Sequence, residues 1–276
     1  MSSDTFLHSF YAQSYYHSIV ARANHRDHVA DFVVRACRKL GQGQPRVGLE
    51  MCCGAGLLSA DLCERGLSMT AVDLHPEVIE CARKHCRQSE VKFETGNMLD
   101  YKTPEPVDFI TNIGENLAVL RSHDQMVTHL QAMAANLKPG GLYILEMARS
   151  WTVLPLEQLR VEPPWIVYRY APDEPQRGSE AGYDVTVYWL GHEEVRVDPM
   201  LGLFRHNLKM YVKKDGVTHE FVTEETGKIY YPQEFAALVE LSGQFDIAGR
   251  YAGFRLSADW RKNPTTPEYV VVLRKR

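Results

Sequence analysis

Glu50 and Asp73 are two acids placed on either side of a glycine turn. Residues 47–56 read Val47-Gly48-Leu49-Glu50-Met51-Cys52-Cys53-Gly54-Ala55-Gly56, a short apolar run that ends in an acid and then a turn. A helical pattern follows from Leu57 to Arg65. A second apolar run, Ser68 to Val72, then closes on Asp73. Gly54 and Gly56 let the backbone approach a ligand that a Cβ would repel. Asp73 lies about 20 residues beyond the turn, the offset at which a carboxylate accepts both hydroxyls of a ribose. The pattern is a nucleotide-binding β-α-β unit with an acid at the tip of each strand.

Two cofactor classes use such a unit. A nicotinamide dinucleotide needs G-x-G-x-x-G with the pyrophosphate on the helix N-terminus. Here Gly54-Ala55-Gly56-Leu57-Leu58-Ser59 lacks the third glycine. Glu50 is the stronger objection, because a carboxylate beside the turn repels a diphosphate and suits a cation. S-adenosylmethionine, with its sulfonium and α-ammonium, is the nucleoside of that charge.

The motifs beyond the turn agree. Gly96-Asn97-Met98 follows a third strand at Val91–Phe93, and Val107–Asn112 runs into Ile113-Gly114-Glu115-Asn116-Leu117. Leu137-Lys138-Pro139-Gly140-Gly141 introduces a fifth strand, Leu142–Met147. On these residues the chain resembles the class I S-adenosylmethionine-dependent methyltransferases of small-molecule type. The family's E/D-x-G-x-G-x-G motif maps onto Glu50, Cys52, Gly54 and Gly56, and its second-strand acid onto Asp73. The stretch 107–117 resembles its D-x-x-x-x-x-x-x-D-S-L segment, and 137–141 its L-K/R-P-G-G turn. The resemblance covers about residues 10–150 and resumes at about 230–276. One position departs: Cys52 stands where the family has its first glycine.

The resemblance implies a doubly wound, seven-stranded, mostly parallel α/β sheet that a closing antiparallel hairpin completes. It also implies roles. Glu50 reaches the methionine ammonium, with a strand-end cap as its other reading, while Cys52, Gly54 and Gly56 carry the loop under the methionine part. Asp73 takes the ribose. Leu74 and Met98 wall the adenine, whose edge Asn97 can both donate to and accept from. Asn112 borders the methyl group. Tyr16 and Arg22, on an N-terminal helix, are candidates for closing over the cofactor carboxylate, although an aromatic stripe there also reads as packing.

The acceptor side is less marked. Glu115 is a candidate base or amine ligand, or else an acid favoured by a helix N-terminus. His206 is a candidate general base near neutral pH, or a core histidine. Asn116, Arg205 and Tyr11 are candidate acceptor ligands. In Phe204–Tyr211, His206 shares one face with Phe204, Leu208 and Met210, and Arg205 lies on the other.

Three regions frame these residues. Residues 1–147 hold N-terminal helices, with helical spacing over 6–40, and the cofactor-binding core. Residues 148–229 read as an inserted antiparallel β segment: Trp165–Tyr170, Tyr183–Leu190, Leu203–Val212 and Thr218–Thr223 are strand-like. Lys214-Asp215-Gly216 is a hairpin signal between the last two. The segment is either a lid over the substrate or a stabilising or homodimer surface. Residues 230–276 return to the core with a helix opened by Pro232 and two strands, Phe245–Tyr251 and Tyr269–Leu273.

Composition fits one enzyme. The 276 residues carry a net charge of −4, with 45% hydrophobic and 24% charged. No basic cluster exceeds Arg274-Lys275-Arg276, which argues against nucleic acid. No apolar run approaches the ~20 residues of a membrane span. Met1–Asp4 lacks a signal-peptide pattern, so a cytoplasmic location is expected. The six cysteines form no C-x-x-C pair, so no metal site is expected. The expected function is methyl transfer to a nitrogen or oxygen of a small molecule. The rivals are a NAD-dependent oxidoreductase and a cofactor-binding scaffold without catalysis.

Overall fold

A computed structural model of the chain describes residues 23–114, 116–147, 166–170, 184–189, 196–198, 200–214, 216–263 and 269–276. Helix α1, Ala23–Leu40, buries Val29, Ala30, Phe32, Val33, Ala36 and Cys37 along one stripe, the spacing expected of an amphipathic helix. The expected helical residues before Ala23 lie outside the described residues.

Strand and helix then alternate. The elements are β1 (Val47–Met51), α2 (Leu57–Glu64), β2 (Ser68–Asp73), α3 (Pro76–His85), β3 (Lys92–Thr95), β4 (Val107–Asn112), a 3-10 turn (Asn116–Val119), α4 (His123–Asn136) and β5 (Leu137–Met147). Pairing is parallel from β3 through β2, β1 and β4 to β5. The central strands are apolar on both faces because helices cover both sides, as parallel crossovers require. Alternate residues feed two cores. Ile110, Tyr143 and Leu145 join Leu130, Met133 and Phe235 on one face, while Phe109, Leu142 and Ile144 join Phe32 and Val33 of α1 on the other.

One strand is longer than its sequence suggests. β5 begins at Leu137 instead of Leu142, and its register with β4 jumps from Val107↔Leu137 to Phe109↔Leu142. The Lys138-Pro139-Gly140-Gly141 turn is therefore a bulge inside the strand, and Gly140 takes the left-handed φ of 72° that such a bulge needs.

A separate antiparallel sheet follows, made of β6 (Ile166–Tyr170), β7 (Asp184–Trp189), β8 (Arg196–Asp198), β9 (Leu203–Lys214) and β10 (Val217–Lys228). Its order is β10-β9-β7-β6, with β8 paired to β9. Lys214 pairs with Val217, so β9 and β10 form a tight antiparallel hairpin. β8 has no counterpart in the sequence reading. Its three residues are set by the turn after it, in which Asp198 Oδ1 accepts the N–H groups of Met200 and Leu201 at 2.9 and 3.1 Å.

The chain then rejoins the first sheet. Helix α5, Pro232–Ser242, has proline in its first turn and ends on Gly243 at φ 68°. β11 (Phe245–Ala252) and β12 (Tyr269–Lys275) pair antiparallel, and β12 pairs antiparallel with β5. The sheet order is β11-β12-β5-β4-β1-β2-β3. Among the described residues, no helix is long and apolar enough to cross a membrane.

Candidate functional site

In an open α/β sheet the ligand crevice lies beyond the carboxyl ends of the strands, where the order reverses. Here β1 is the strand between β4 and β2, so its end and those of its neighbours form that edge. Glu50, Cys52, Gly54, Gly56, Asp73, Leu74, Asn97, Met98, Asn112 and Asn116 all lie at or just past the ends of β1 to β4.

The turn after β1 is built from left-handed backbone. Cys52 has φ 58°, Gly54 52° and Gly56 71°. Cys52 is the only non-glycine with positive φ among the described residues, and it stands at the position the resemblance gives to glycine. Gly56 begins α2, and a Cβ there would run into the Phe93 ring. A steric demand at Gly56 is thus already present within the protein itself.

Glu50 is buried, and its Oε2 accepts both the backbone N–H of Ser59, at 2.9 Å, and the Ser59 hydroxyl. Ser59 lies in the first turn of α2, whose N-cap, Gly56, has no side chain to offer. The carboxylate therefore does for α2 what a capping side chain does. Burial pushes the Glu50 carboxyl up to about 7, against the lowering effect of the Ser59 hydrogen bonds. A cation placed beside it would stabilise the ionised form.

Asp73 holds two loops together. Its Oδ2 accepts the N–H of Gly54 at 3.1 Å and its Oδ1 that of His75 at 3.2 Å. Its own carbonyl accepts the N–H of Gly96 at 2.9 Å, so the ends of β1, β2 and β3 converge on one residue. Leu74 follows it with 55% exposure, an aliphatic side chain left uncovered next to an acid. Asn97 is exposed at the end of β3, and its Oδ1 accepts the Leu99 N–H at 3.0 Å. Met98 is buried, its sulfur 3.9 Å from Cys52 Sγ. Burial raises the Cys52 thiol above its ordinary range, helped by Asp73.

Asn112 is fully buried, and its amide nitrogen is directed at Tyr143 Oη (3.5 Å) and Cys52 Sγ (4.0 Å). Asn116 reaches it from the following turn, Nδ2 to Oδ1 at 3.0 Å. Arg205 is exposed on β9. Tyr11, Tyr16, Arg22 and Glu115 lie outside the described residues. So does the side chain of His206, whose backbone is in β9.

Two groups of residues escaped the sequence reading. One is buried and polar: His129 Nδ1 lies 2.8 Å from the Met98 carbonyl and its Nε2 2.6 Å from Tyr143 Oη. The available signal was a histidine on the buried stripe of α4, among Met126, Leu130 and Met133. The other anchors the antiparallel sheet. Lys228, at the end of β10, is buried and reaches the Leu201 carbonyl at 2.7 Å and Glu234 of α5 at 3.1 Å; His123 of α4 meets the same carboxylate at 2.6 Å. Nothing in the local sequence connects these three positions.

Known proteins resemble this chain in sequence and in fold. Residues 49–141 match the family described as methyltransferase domain. A ubiquinone biosynthesis O-methyltransferase of Xanthomonas euvesicatoria is 32% identical over 99 residues, covering 35% of this chain and 41% of that protein. The chain thus aligns with less than half the length of that relative. An S-adenosylmethionine-dependent methyltransferase of Clostridium acetobutylicum superposes with a TM-score of 0.71 at 16% identity, covering 96% of this chain and 98% of the other. The sugar N-methyltransferase KedS8 of a Streptoalloteichus species gives 0.65 at 17% identity, covering 94% and 92%. Residues 49–141 thus match a methyltransferase domain, and the fold of the chain is the one these solved methyltransferase structures share.

Proposed function

We propose that the chain is an S-adenosylmethionine-dependent methyltransferase whose acceptor is a hydroxyl or amine of a small molecule. One observation carries the reading: Glu50 and Asp73 flank a single left-handed turn at adjacent strand ends, with Leu74 uncovered beside them. The donor set fits the cofactor. Glu50 supplies negative charge for an ammonium, Asp73 accepts from ribose hydroxyls, and Leu74 and Met98 offer apolar contact to adenine, with Asn97 at its edge. When bound, S-adenosylmethionine supplies an electrophilic methyl group on a sulfonium. The protein's part is then alignment and exclusion of water, and a base is needed only where the acceptor must lose a proton. Glu115 and His206 are the candidates for that base, and Asn116, Arg205 and Tyr11 for holding the acceptor. Tyr16 and Arg22 are the candidates for closing the cofactor end.

Similarity to ubiquinone O-methyltransferases favours an oxygen acceptor. The likeness to a sugar N-methyltransferase rests on fold alone. We assign residues 148–229 the role of a roof over the acceptor. In support, the end of β10 packs against the Asn116–Val119 turn, and Lys228 is locked to α4 and α5 through Glu234. A nicotinamide enzyme is disfavoured by Glu50 and by the antiparallel β11–β12 closure of the sheet.

The test is methyl-labelled S-adenosylmethionine added with the pure protein to a cell extract, followed by mass spectrometry. Label in a small molecule, with thermal stabilisation by S-adenosylhomocysteine and none by NADH, is expected. Label confined to protein or nucleic acid would overturn the small-molecule reading. Stabilisation by NADH alone would overturn the cofactor.

A further inference from the structure

A chain of hydrogen bonds runs inside the domain from the adenine-side loop to the turn after β4, and its direction is fixed from both ends. At one end, His129 Nδ1 faces the Met98 carbonyl at 2.8 Å. A carbonyl only accepts, so Nδ1 carries the proton. The ring is fully buried, and burial lowers its pKa to about 4 despite the Met98 contact, so at neutral pH it has one N–H. Nε2 is then an acceptor, and Tyr143 donates to it across 2.6 Å. At the other end, Asn116 Nδ2 lies 2.9 Å from the Ile113 carbonyl, which fixes the nitrogen of that amide. The same nitrogen is 3.0 Å from Asn112, which must answer with its oxygen. The Asn112 nitrogen therefore turns to Tyr143, whose proton is already given to His129 and whose lone pair accepts at 3.5 Å. The two ends agree on one polarity.

That polarity has a consequence at the surface of the site. Both N–H bonds of Asn116 are spent inward, on Ile113 and Asn112. Asn116 is partly exposed at the head of the turn after β4. What it can offer a ligand is its carbonyl oxygen, which only accepts.

We propose that Asn116 receives the hydroxyl or amine hydrogen of the methyl acceptor, and that His129 and Tyr143 are positioning residues that fix Asn112, whose oxygen together with the Ile113 carbonyl holds the Asn116 amide in that orientation. This rests on the small-molecule reading above and narrows it to acceptors that carry a hydrogen-bond donor at or next to the methylated atom. Acceptors presenting only lone pairs would meet an oxygen and be rejected, since two facing acceptors leave a buried polar group unpaired.

The first arm of the test needs no turnover. Nitrogen-15 NMR of the whole protein, free and with S-adenosylhomocysteine, should show His129 as the neutral Nδ1–H tautomer from pH 5.5 to 8, as read from its two ring-nitrogen shifts. An Nε2–H tautomer would reverse the chain and overturn the proposal. The second arm uses the acceptor identified by the labelled-extract experiment. Tyr143→Phe removes the hydroxyl and keeps the ring, and it should raise the acceptor KM about tenfold while the S-adenosylhomocysteine Kd changes less than about twofold. Asn116→Ala should do the same. Unchanged acceptor KM in both variants, with the expected tautomer, would also overturn it. Label found only in macromolecules would sink the small-molecule reading and still leave the tautomer to be read.

Discussion

Cys52 is an L-residue held where its fold wants glycine, and replacing it tests the turn directly. Its φ of 58° lies in the left-handed region, which costs a side-chain-bearing residue about 1–2 kcal/mol. Cys52→Ala keeps that strain. It also loses the sulfur contacts to Met98 at 3.9 Å and Asn112 at 4.0 Å, together worth about 1 kcal/mol of apolar burial. Cys52→Gly loses the same contacts and relieves the strain, but adds about 0.5–1 kcal/mol of unfolded-chain entropy. The sum leaves glycine near the wild type and alanine about 1 kcal/mol below it, roughly 2–4 °C in Tm for a chain of this size.

The order is the diagnostic result, because at an ordinary position alanine is more stable than glycine. Urea unfolding of the three proteins, with midpoints compared at equal slope, measures it. Calorimetry with S-adenosylhomocysteine should show the glycine variant binding about as well as the wild type. If alanine proves as stable as glycine or more so, Cys52 is not left-handed in the folded protein and the account of the turn fails.

Other perturbations read the rest of the cofactor side. Asp73→Ala should weaken S-adenosylhomocysteine by about 2 kcal/mol, roughly 30-fold, with native circular dichroism retained; unchanged affinity would place the nucleoside elsewhere. Gly56→Ala should destabilise the fold by more than about 2 kcal/mol, from left-handed strain plus the clash with Phe93, and Phe93→Leu in the same chain should return part of that loss in a urea titration. Because the folded state raises the Glu50 carboxyl from 4.5 to about 7, its contribution to stability is fully present below pH 4.5 and is lost as pH rises through 7. Urea midpoints of the ligand-free protein should fall across that window, S-adenosylhomocysteine affinity should rise across it, and Glu50→Gln should flatten both.

The parallel sheet was legible because its inner strands follow one rule. Strands covered on both faces are mainly apolar, and Phe109-Ile110 in β4 and Leu142-Tyr143-Ile144-Leu145 in β5 are such stretches. Where the reading slipped, the backbone did something that composition does not encode. Lys138-Pro139-Gly140-Gly141 has the chemistry of a turn, and it serves as a bulge because β4 pairs with β5 on both sides of it. β8 was missed because three residues carry no measurable period and exist only through pairing with β9. At Gly56 the sequence suggests room for a ligand, and the fold adds a demand that it does not show, from Phe93 on β3, 37 positions along the chain.

The cofactor and acceptor sides differ in how they are encoded. A nucleoside seated on a strand-turn-helix needs left-handed backbone at 52, 54 and 56 and carboxylates at the ends of two neighbouring strands, so its requirements fall at fixed offsets along one stretch of chain. The polar chain behind it draws Met98, Asn112, Asn116, His129 and Tyr143 from the loop after β3 and four further elements. No offset relates them, and each taken singly is an ordinary buried residue or turn residue. Only the hydrogen-bond geometry shows that two backbone carbonyls, those of Met98 and Ile113, dictate which way every side chain between them points. An in-line displacement asks the protein mainly for alignment and dryness. Evolution can satisfy that demand with side chains brought together from anywhere in the fold, which is why the turn is legible along the chain and the orientation of the Asn116 amide only in the assembled structure.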